Sequence, residues 1–523
     1  MQRPLGAQIS HALKARGVEV IFGIPGVHNI EMYRGIEEAG IRHVLARHEQ
    51  GAGFMADGYA RASGRPGLCY LITGPGFLNA TTALGQAYSD SVPVLALASC
   101  LDETAHRRGQ LHQMLDQVGA GRAVCDWSEE ARTPSAAYGL IDRALTEFAT
   151  RRARPKAIHL PITALGALAE PAPAPRAAPG LPEVGFAGMT RVVEAVLAAE
   201  RPLFIFGGGA RGGAAVIPDL LRMTGAASFT TFAGRGLVPA DTPLHFGAML
   251  ARPDAQRVVN EADLVVALGC ELTEVDLWRA DLGYDGRMIR VDIDPELLTG
   301  EGVQGDAGAL LRAMAVAIPA RTEDRAPCWD ATEVAATKVR WRAEIAAERP
   351  GLASVIAALQ AVMPEDAMIF SDMTQFAYAA LELWDLPQGA AWHHPSGFGT
   401  LGYALPAAIG GSVARPGLPT VAIAGDYGLQ YTLPELGTAV ELGLSLPILV
   451  WDNSELGEIR DAMVGAQIAP NAVVARNPDF IALAKAYGAR AAQPGTSVEL
   501  KDAVAEAFHA PVPTLIRMAR GLS

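Results

Sequence analysis

The chain has 523 residues, 50% of them hydrophobic and 19% charged, with a formal net charge of −13. This length holds about three ordinary domains, and the composition buries large cores and excludes a disordered chain. The negative charge argues against nucleic acid or an anionic membrane surface as partner, but not against small anionic substrates, which respond to local charge.

Five scattered cysteines (Cys69, Cys100, Cys125, Cys270, Cys328) form no C-x-x-C pair, as expected of small core residues in a reducing cytoplasm. The N-terminus lacks the apolar core of a signal peptide, and no apolar run reaches the length of a membrane span, so the expected location is cytoplasmic.

Residues 4–16 read as an amphipathic helix ended by Gly17, and residues 18–23 as a short buried strand. Pro25-Gly26 turns the chain at Val27, and a helix is expected over 30–38. Residues 41–46 form the next strand; at its end stands Arg47-His48-Glu49-Gln50, followed by the helix G-A-G-F-M-A-D-G-Y-A-R. The strand at 67–73 runs into the turn Gly74-Pro75-Gly76, which opens a helix from Asn79 to residue 89, and a further strand occupies 92–99. This alternation predicts a doubly wound α/β domain with a parallel sheet. Proline at every second or third position over 170–184 makes an extended, semi-stiff linker, so the first domain is expected to span 1–169.

A second α/β domain, expected over 185–318, carries strands at 203–206, 264–268 and 288–291. Gly207-Gly208-Gly209 after its first strand is similar to a dinucleotide loop, but the pattern is a weak signal and no ribose-binding acid stands beside it. A structural Rossmann-like domain is the favoured reading, with a bound nucleotide such as FAD as the alternative. Residues 319–330 read as a second linker.

The third domain, expected over 331–523, opens with a charged helix. A strand at 368–371 leads to Asp372-Met373-Thr374-Gln375, and Gly397-Phe398-Gly399-Thr400-Leu401-Gly402 is a glycine-rich loop before a helix of small residues. Two apolar runs, 420–424 and 447–451, end in Gly425-Asp426 and Asp452-Asn453; a polar turn through Tyr427 and Gly428 and a helix over 434–442 lie between them. Two buried parallel strands therefore deliver Asp426 and Asn453 to one edge of the sheet, where α/β proteins bind ligands. Both offer hard oxygens, and Mg²⁺ takes a few protein oxygens and completes its octahedron with phosphate and water. Asp426, Asn453 and a backbone carbonyl near Glu455 are the expected protein ligands. Gly425 lets a bulky anion approach the backbone, and the nearby helix start favours negative charge. The implied ligand is a metal-bridged diphosphate; the alternative is an ordinary β-α-β crossover with an incidental Asp.

An Asp in a Gly-Asp turn with an Asn 27 residues on (453 − 426) resembles the diphosphate motif of thiamine-diphosphate enzymes. One departure is that Tyr427 replaces the family's second glycine, with Gly428 following at once. The run I-F-G-I-P-G-V-H-N-I…R-H-E-Q-G-A-G-F-M-A-D-G-Y-A-R…T-G-P-G-F-L-N resembles the pyrimidine-binding domain of the acetolactate synthase and 2-oxoacid decarboxylase family. P-S-G-F-G-T-L-G-Y-A-L-P-A-A-I-G-G resembles the segment whose apolar residue wedges between the two cofactor rings. The G-V-H and R-H-E-Q runs and Gly457-Glu458-Ile459 are similar to the acetolactate-synthase-like decarboxylases, such as those acting on 5-guanidino-2-oxopentanoate.

The resemblance implies three doubly wound parallel-sheet domains: pyrimidine-binding, central Rossmann-like, and diphosphate-binding. It implies thiamine diphosphate and Mg²⁺, held between chains of a homodimer or dimer of dimers. Glu49 would bond a pyrimidine nitrogen and begin ylid formation, and Leu401 would hold the cofactor bent. Gly26, Val27, Gly74, Pro75, Asn79, Gln375, Gly399, Thr400, Gly425, Tyr427, Gly428, Leu456, Gly457 and Glu458 would line the cofactor. The implied reaction is decarboxylation of a 2-oxo acid through a C2-bound enamine, releasing an aldehyde. The alternatives are ligation to a second carbonyl, or a flavin-using or non-catalytic relative. Leu111-His112-Gln113 sits where acetolactate synthases carry Phe-Gln-Glu, which makes His112 a candidate acid or base, with Gln113 beside it. Glu455, Glu458 and Asp461 would set acid on the substrate side, suited to a cationic tail.

Overall fold

The computed structural model describes residues 1–102, 109–318, 326–519 and 521–522. Most of the second predicted linker, 319–325, lies outside the described residues. The described chain builds three parallel sheets with helices between the strands, the expected α/β class.

The first sheet has six strands in the spatial order Arg42–Leu45, Val20–Gly23, Gly67–Leu71, Val94–Cys100, Lys156–Pro161, Trp127–Glu130. The central sheet has five, in the order Ala227–Thr230, Pro202–Phe206, Leu264–Leu268, Arg287–Asp292, Glu301–Gln304. The third has six: Ala391–His393, Met368–Ser371, Thr420–Gly425, Pro447–Asp452, Thr514–Ala519, Arg490–Ala492. Numbered within their own domains, the strands of the first and third sheets follow the same order, 2-1-3-4-6-5. A small antiparallel pair, Arg3–Pro4 with Leu168–Ala169, ties the start of the first domain to its end.

Three local expectations change. The helix over 30–38 shortens to Ile30–Tyr33 and continues as turns, with Gly35 packed closely against Ala7, where an added Cβ would lie 2.7 Å from its backbone. The helix read from Asn79 starts at Pro75, whose fixed φ and missing N–H suit a first helical position. The polar turn after Gly425 is a helix, Asp426–Tyr431, with the Asp426 carboxylate in its first turn, where the helix dipole favours negative charge.

The first and third domains share one apolar core, running from Phe22, Phe54 and Met55 to Phe370, Tyr403 and Ile409. Its centre is the crossing of helix Glu49–Ser63 with helix Ala404–Ala414. Glycines set how close the two can come: a Cβ on Gly58 would stand 2.0 Å from the Ala407 carbonyl oxygen, and one on Gly410 2.0 Å from that of Met55. The polar edge of this contact is a hydrogen-bonded chain. The Tyr403 hydroxyl donates to buried Asp57 at 2.7 Å, and Arg61 bridges Asp57 (2.7 Å) and Asp90 (2.8 Å). The cysteine side chains are unpaired with one another; four are buried, and burial pushes the thiols of Cys69 and Cys270 up to about 12, as suits inert core residues. No helix among the described residues is long and apolar enough to cross a membrane.

Candidate active site

Two clusters stand at the C-terminal edges of the first and third sheets. In the first domain Glu49 begins the helix Glu49–Ser63, capped by the His48 side chain, which accepts from the Gln50 amide. Glu49 is 9% exposed, and Asn79 donates to its Oε2 at 2.9 Å. Asn79 lies in the first turns of the helix opened by Gly74-Pro75-Gly76, so strand Gly67–Leu71 fixes the carboxylate's partner. A Cβ on Gly76 would sit 3.0 Å from Glu49 Oε1 and 2.5 Å from Ile72 Cγ2. Ile72 Cδ1 in turn fills the space at Gly26, where a Cβ would stand at 2.3 Å. The Gly26 turn is held by Asn29, whose Oδ1 accepts from the Gly26 amide at 2.7 Å, and it leaves Val27 64% exposed. Gly74, at φ +69, donates through its amide to Gln117 Oε1, and the carbonyl of His112 presses on its open face. Glu49, Asn79, Gly74, Pro75, Gly26, Val27 and His112 are thus one neighbourhood. Gln113 is tied into its own turn, accepting from the Gln110 amide at 3.0 Å.

In the third domain Asp426 is 2% exposed. Its Oδ1 accepts from the Tyr427 amide (2.9 Å), and its Oδ2 accepts from the Ser454 amide (2.7 Å) and Asn477 Nδ2 (2.6 Å). A carboxylate has about four lone-pair positions, so one on Oδ1 remains for a cation. Asp452 lies alongside, held by Arg517 Nε at 2.5 Å and by Asn477 Nδ2 at 2.8 Å. Burial, with the neighbouring Asp452, pushes Asp426 above the usual carboxylate range. Ser454 takes φ +57, turning the chain so that Asn453 and Glu455 flank it, and the Glu455 amide donates to Asn453 Oδ1 at 3.2 Å. The donor set of acid, amide and backbone oxygens therefore suits Mg²⁺.

Around it, Asn453 Nδ2 donates to Gln375 Oε1 at 3.2 Å, and the Gln375 side chain occupies the space that a Cβ on Gly457 would need. Leu456 donates its amide to the Val473 carbonyl, and Glu458 follows in the first turn of helix Gly457–Gly465. Gly425 has open space, with a Cβ reaching only the Thr374 side chain at 3.3 Å.

The loop bearing Leu401 is set by Asp372. This fully buried carboxyl accepts from the Gly402 amide (2.8 Å) and presses on Gly428, and burial pushes it up to about 7. Thr400 donates to Gln86 of the first domain at 3.1 Å, Gly399 takes φ +68, and Leu401 is half-buried. Asp372, Asp452 and Asn477 carry much of this geometry, yet none of them was singled out as a site residue in the sequence. Asn477 has no local signal: it reaches Asp426 because residues 473–475 pair with 454–456.

Among the described residues no hydrogen bond or ion pair joins the Glu49 cluster to the Asp426 cluster. The acids expected beside the substrate are engaged internally. Arg460 holds Glu455 (2.5 Å) and Asp461 (2.7 Å), while Arg349 reaches Glu458 only at 3.4 Å. In the central domain Gly207 and Gly209 have a packing reason of their own. A Cβ on Gly207 would stand 2.2 Å from the Gly269 carbonyl oxygen, and one on Gly209 2.9 Å from Gly269 Cα. The glycine cluster therefore lends no support to FAD or another nucleotide.

Three family models match the chain: the N-terminal TPP binding domain of thiamine pyrophosphate enzymes over residues 3–120, the central domain over 189–314 and the C-terminal TPP binding domain over 372–518. A probable 2-ketoarginine decarboxylase (AruI) of Pseudomonas aeruginosa is 41% identical, over 98% of this chain and 93% of its own. The acetolactate synthase isozyme 2 large subunit of Escherichia coli is 29% identical over 96% and 92%, and a probable acetolactate synthase large subunit of Methanocaldococcus jannaschii 28% over 97% and 90%. The two edge clusters, the shared helix crossing and these likenesses agree, and the chain belongs to the thiamine pyrophosphate enzymes of the decarboxylase and acetolactate synthase group.

Proposed function

We propose that this enzyme uses thiamine diphosphate and Mg²⁺ to decarboxylate a 2-oxo acid with a cationic tail, of the 5-guanidino-2-oxopentanoate kind, releasing the aldehyde. The observation that carries this reading is the pair of edge clusters, Glu49–Asn79 and Asp426–Asn453, in a chain 41% identical to a probable 2-ketoarginine decarboxylase.

Bound thiamine diphosphate supplies an electron sink for the bond pair that departing CO₂ leaves behind. With thiamine diphosphate bound, Glu49 would exchange a proton with the pyrimidine ring through Oε1, Asn79 fixing Oε2. Gly26, Val27, Gly74 and Pro75 line that end. Asp426, Asn453 and the Glu455 carbonyl hold Mg²⁺. Gly425, Tyr427, Gly428, Gln375, Leu456 and Gly457 surround the diphosphate. Leu401 would supply the apolar wedge between the cofactor rings, on a loop that Gly399 and Thr400 shape. His112 would stand toward the reacting carbons, with Gln113 beside it bonded to the Gln110 amide. Of the three acids near the substrate, Glu458 has the longest internal bridge, and we assign it to the guanidinium.

The lack of any hydrogen bond or ion pair between the two clusters among the described residues supports a site completed by a second copy, as a homodimer or dimer of dimers. Exposed apolar side chains beside the first cluster (Val27, Leu111, Leu115) support the same reading. We place the domain boundaries at 1–169, 185–318 and 331–523, and the enzyme in the cytoplasm, which suits its buried thiols. Ligation to a second carbonyl is the second reading, favoured by the acetolactate synthase relatives.

A panel of 2-oxo acids with basic, acidic and apolar tails, assayed with thiamine diphosphate and Mg²⁺ for CO₂ and products together, tests both readings. CO₂ and aldehyde in equal amounts, highest for the guanidino acid, is the expected result. One CO₂ per two acids consumed establishes ligation instead.

A further inference from the structure

Trp278, in the central domain, is 54% exposed and takes φ +50, a backbone region that bulky side chains rarely occupy. The turn is locked from beneath. Thr273 and Asp276 cap helix Glu274–Leu277 reciprocally, Asp276 also accepts from the Phe232 amide at 3.1 Å, and the Trp278 amide donates to the Glu274 carbonyl at 2.6 Å. A large ring held toward solvent on a left-handed backbone is costly, and such conformations gather at functional sites. Its neighbour is Tyr378 of the third domain, whose ring it meets at 89° with centroids 5.8 Å apart.

Tyr378 belongs to helix Gln375–Leu383, whose part-exposed positions are 375, 378 and 382, one stripe at helical spacing. Gln375 begins the stripe, bonded to Asn453 and pressed on Gly457. Tyr378 follows one turn on and Glu382 another. The Glu382 side chain is 7% exposed, and its ion pair among the described residues, with Arg252, is long at 3.8 Å. Burial pushes this carboxyl up to about 7 and the Tyr378 phenol up to about 12. Arg349 acts on both groups, and Glu458 acts on the phenol. The Arg349 guanidinium thus lies among Tyr378, Glu382 and Glu458. It is loosely held: its contacts with Glu458 span 3.4 Å, against about 2.7–2.9 Å for a good charge-assisted bond.

We propose that Tyr378 and Trp278 are specificity-determining residues, whose rings receive the cationic tail of the substrate while Glu458 and Glu382 pair with its N–H groups. This rests on the reading of the substrate as a 2-oxo acid with a cationic tail. A planar guanidinium is drawn to the face of an aromatic ring, most strongly that of Trp, and its five N–H groups remain free at the rim for acids. Two rings at right angles make a corner that holds such a plane, and an ordinary apolar tail gains less there. The helix also measures the tail. With the reacting end beside Gln375, the cation site lies one to two turns along, about 5–10 Å. A short cationic tail stops before the acids, and the guanidino acid reaches them.

The test uses Trp278→Leu and Tyr378→Leu, with Trp278→Phe and Tyr378→Phe as variants that keep a ring. Each is assayed on 5-guanidino-2-oxopentanoate and on an apolar 2-oxo acid of equal length. The Leu variants should raise KM for the guanidino acid by roughly 5–30-fold at unchanged kcat, and leave KM for the apolar acid at the wild-type value. The Phe variants should recover most of the loss. A readout without turnover uses 5-guanidinopentanoate, which lacks the keto group: it should quench the tryptophan emission of the wild type more than that of Trp278→Phe. Leu variants that lose equally on both acids, or on neither, overturn the proposal and leave the cationic-tail reading standing, as does equal quenching in the two proteins. A wild type that prefers the apolar acid overturns the cationic-tail reading and this proposal with it.

Discussion

The first and third domains are the same sheet used twice. Both order their strands 2-1-3-4-6-5, and the helix after the second strand of each packs against its counterpart. Their chemistry is set at different loops. In the first domain the carboxylate follows the second strand, as Glu49, and the third strand ends in the neutral turn Gly74-Pro75-Gly76. In the third domain the second strand leads to the uncharged loop around Leu401, and the third strand ends in Gly425-Asp426. On the proposed reading, one scaffold presents a proton-exchanging acid on one copy and an anion- and cation-holding edge on the other. Fold is shared; the site is written in the loops.

The largest effect should come from Glu49→Gln, which keeps size and the Asn79 contact but cannot exchange the proton. Turnover should fall by roughly 10²–10⁴-fold while thiamine-diphosphate affinity by calorimetry stays at the wild-type value. A variant that keeps full turnover would mean that the two domains do not divide the labour in this way.

Asp426→Ala should weaken Mg²⁺-dependent cofactor binding by more than roughly 100-fold, and Asn477→Ala, which only orients Asp426 and Asp452, by about 10–100-fold. Titration calorimetry at fixed cofactor and varied Mg²⁺ separates the two. Mixing Glu49→Gln chains with Asp426→Ala chains sharpens the comparison further. If each site takes one edge from each chain, about one site in four is intact in a random mixture of dimers, and activity should return to that level. If both edges of a site came from one chain, mixing would restore nothing.

The smallest effect concerns the joint between the two domains. Glu435, in the helix Glu435–Glu441 just after the metal segment, is fully buried and accepts from the Arg47 and His48 amides at 3.0 Å. It leaves no room for a side chain at Gly51 of the Glu49 helix. Burial raises its pKa to about 7, against 4.5 for an unperturbed Glu. The native state therefore keeps a proton that the unfolded chain releases, so stability falls as pH rises from about 4.5 to 7, by at most about 3 kcal/mol. Glu435→Gln should flatten that slope in denaturant unfolding across pH 5 to 7.5. An unchanged slope would show that the joint does not titrate.

Much of this was legible in the chain. Apolar runs ending in Gly-Asp and Asp-Asn announced two parallel strands with oxygen ligands at one edge, because buried strands are continuous and their ends are not. Glu49 was legible through its place at a helix start and the run around it. The helix at Asp426–Tyr431 was not, since D-Y-G-L-Q-Y has turn-like residues and gains its helix from packing against Asp372 and the turn at Gly402, to whose carbonyl the C-cap Thr432 donates. His28 was visible as part of a run but carried no sign of a partner.

By itself, then, the amino-acid sequence determined the α/β class, the three-domain rhythm and the residues at the strand ends, because periodicity, turn chemistry and motif spacing are local. Tertiary structure alone decided that Asn477 orients Asp426, that Glu435 clamps the segment before Glu49, and that His28 meets His112. Each of these joins residues tens to hundreds of positions apart, and only the packing of the sheets and of the crossing helices at Gly58 and Gly410 brings such residues within reach.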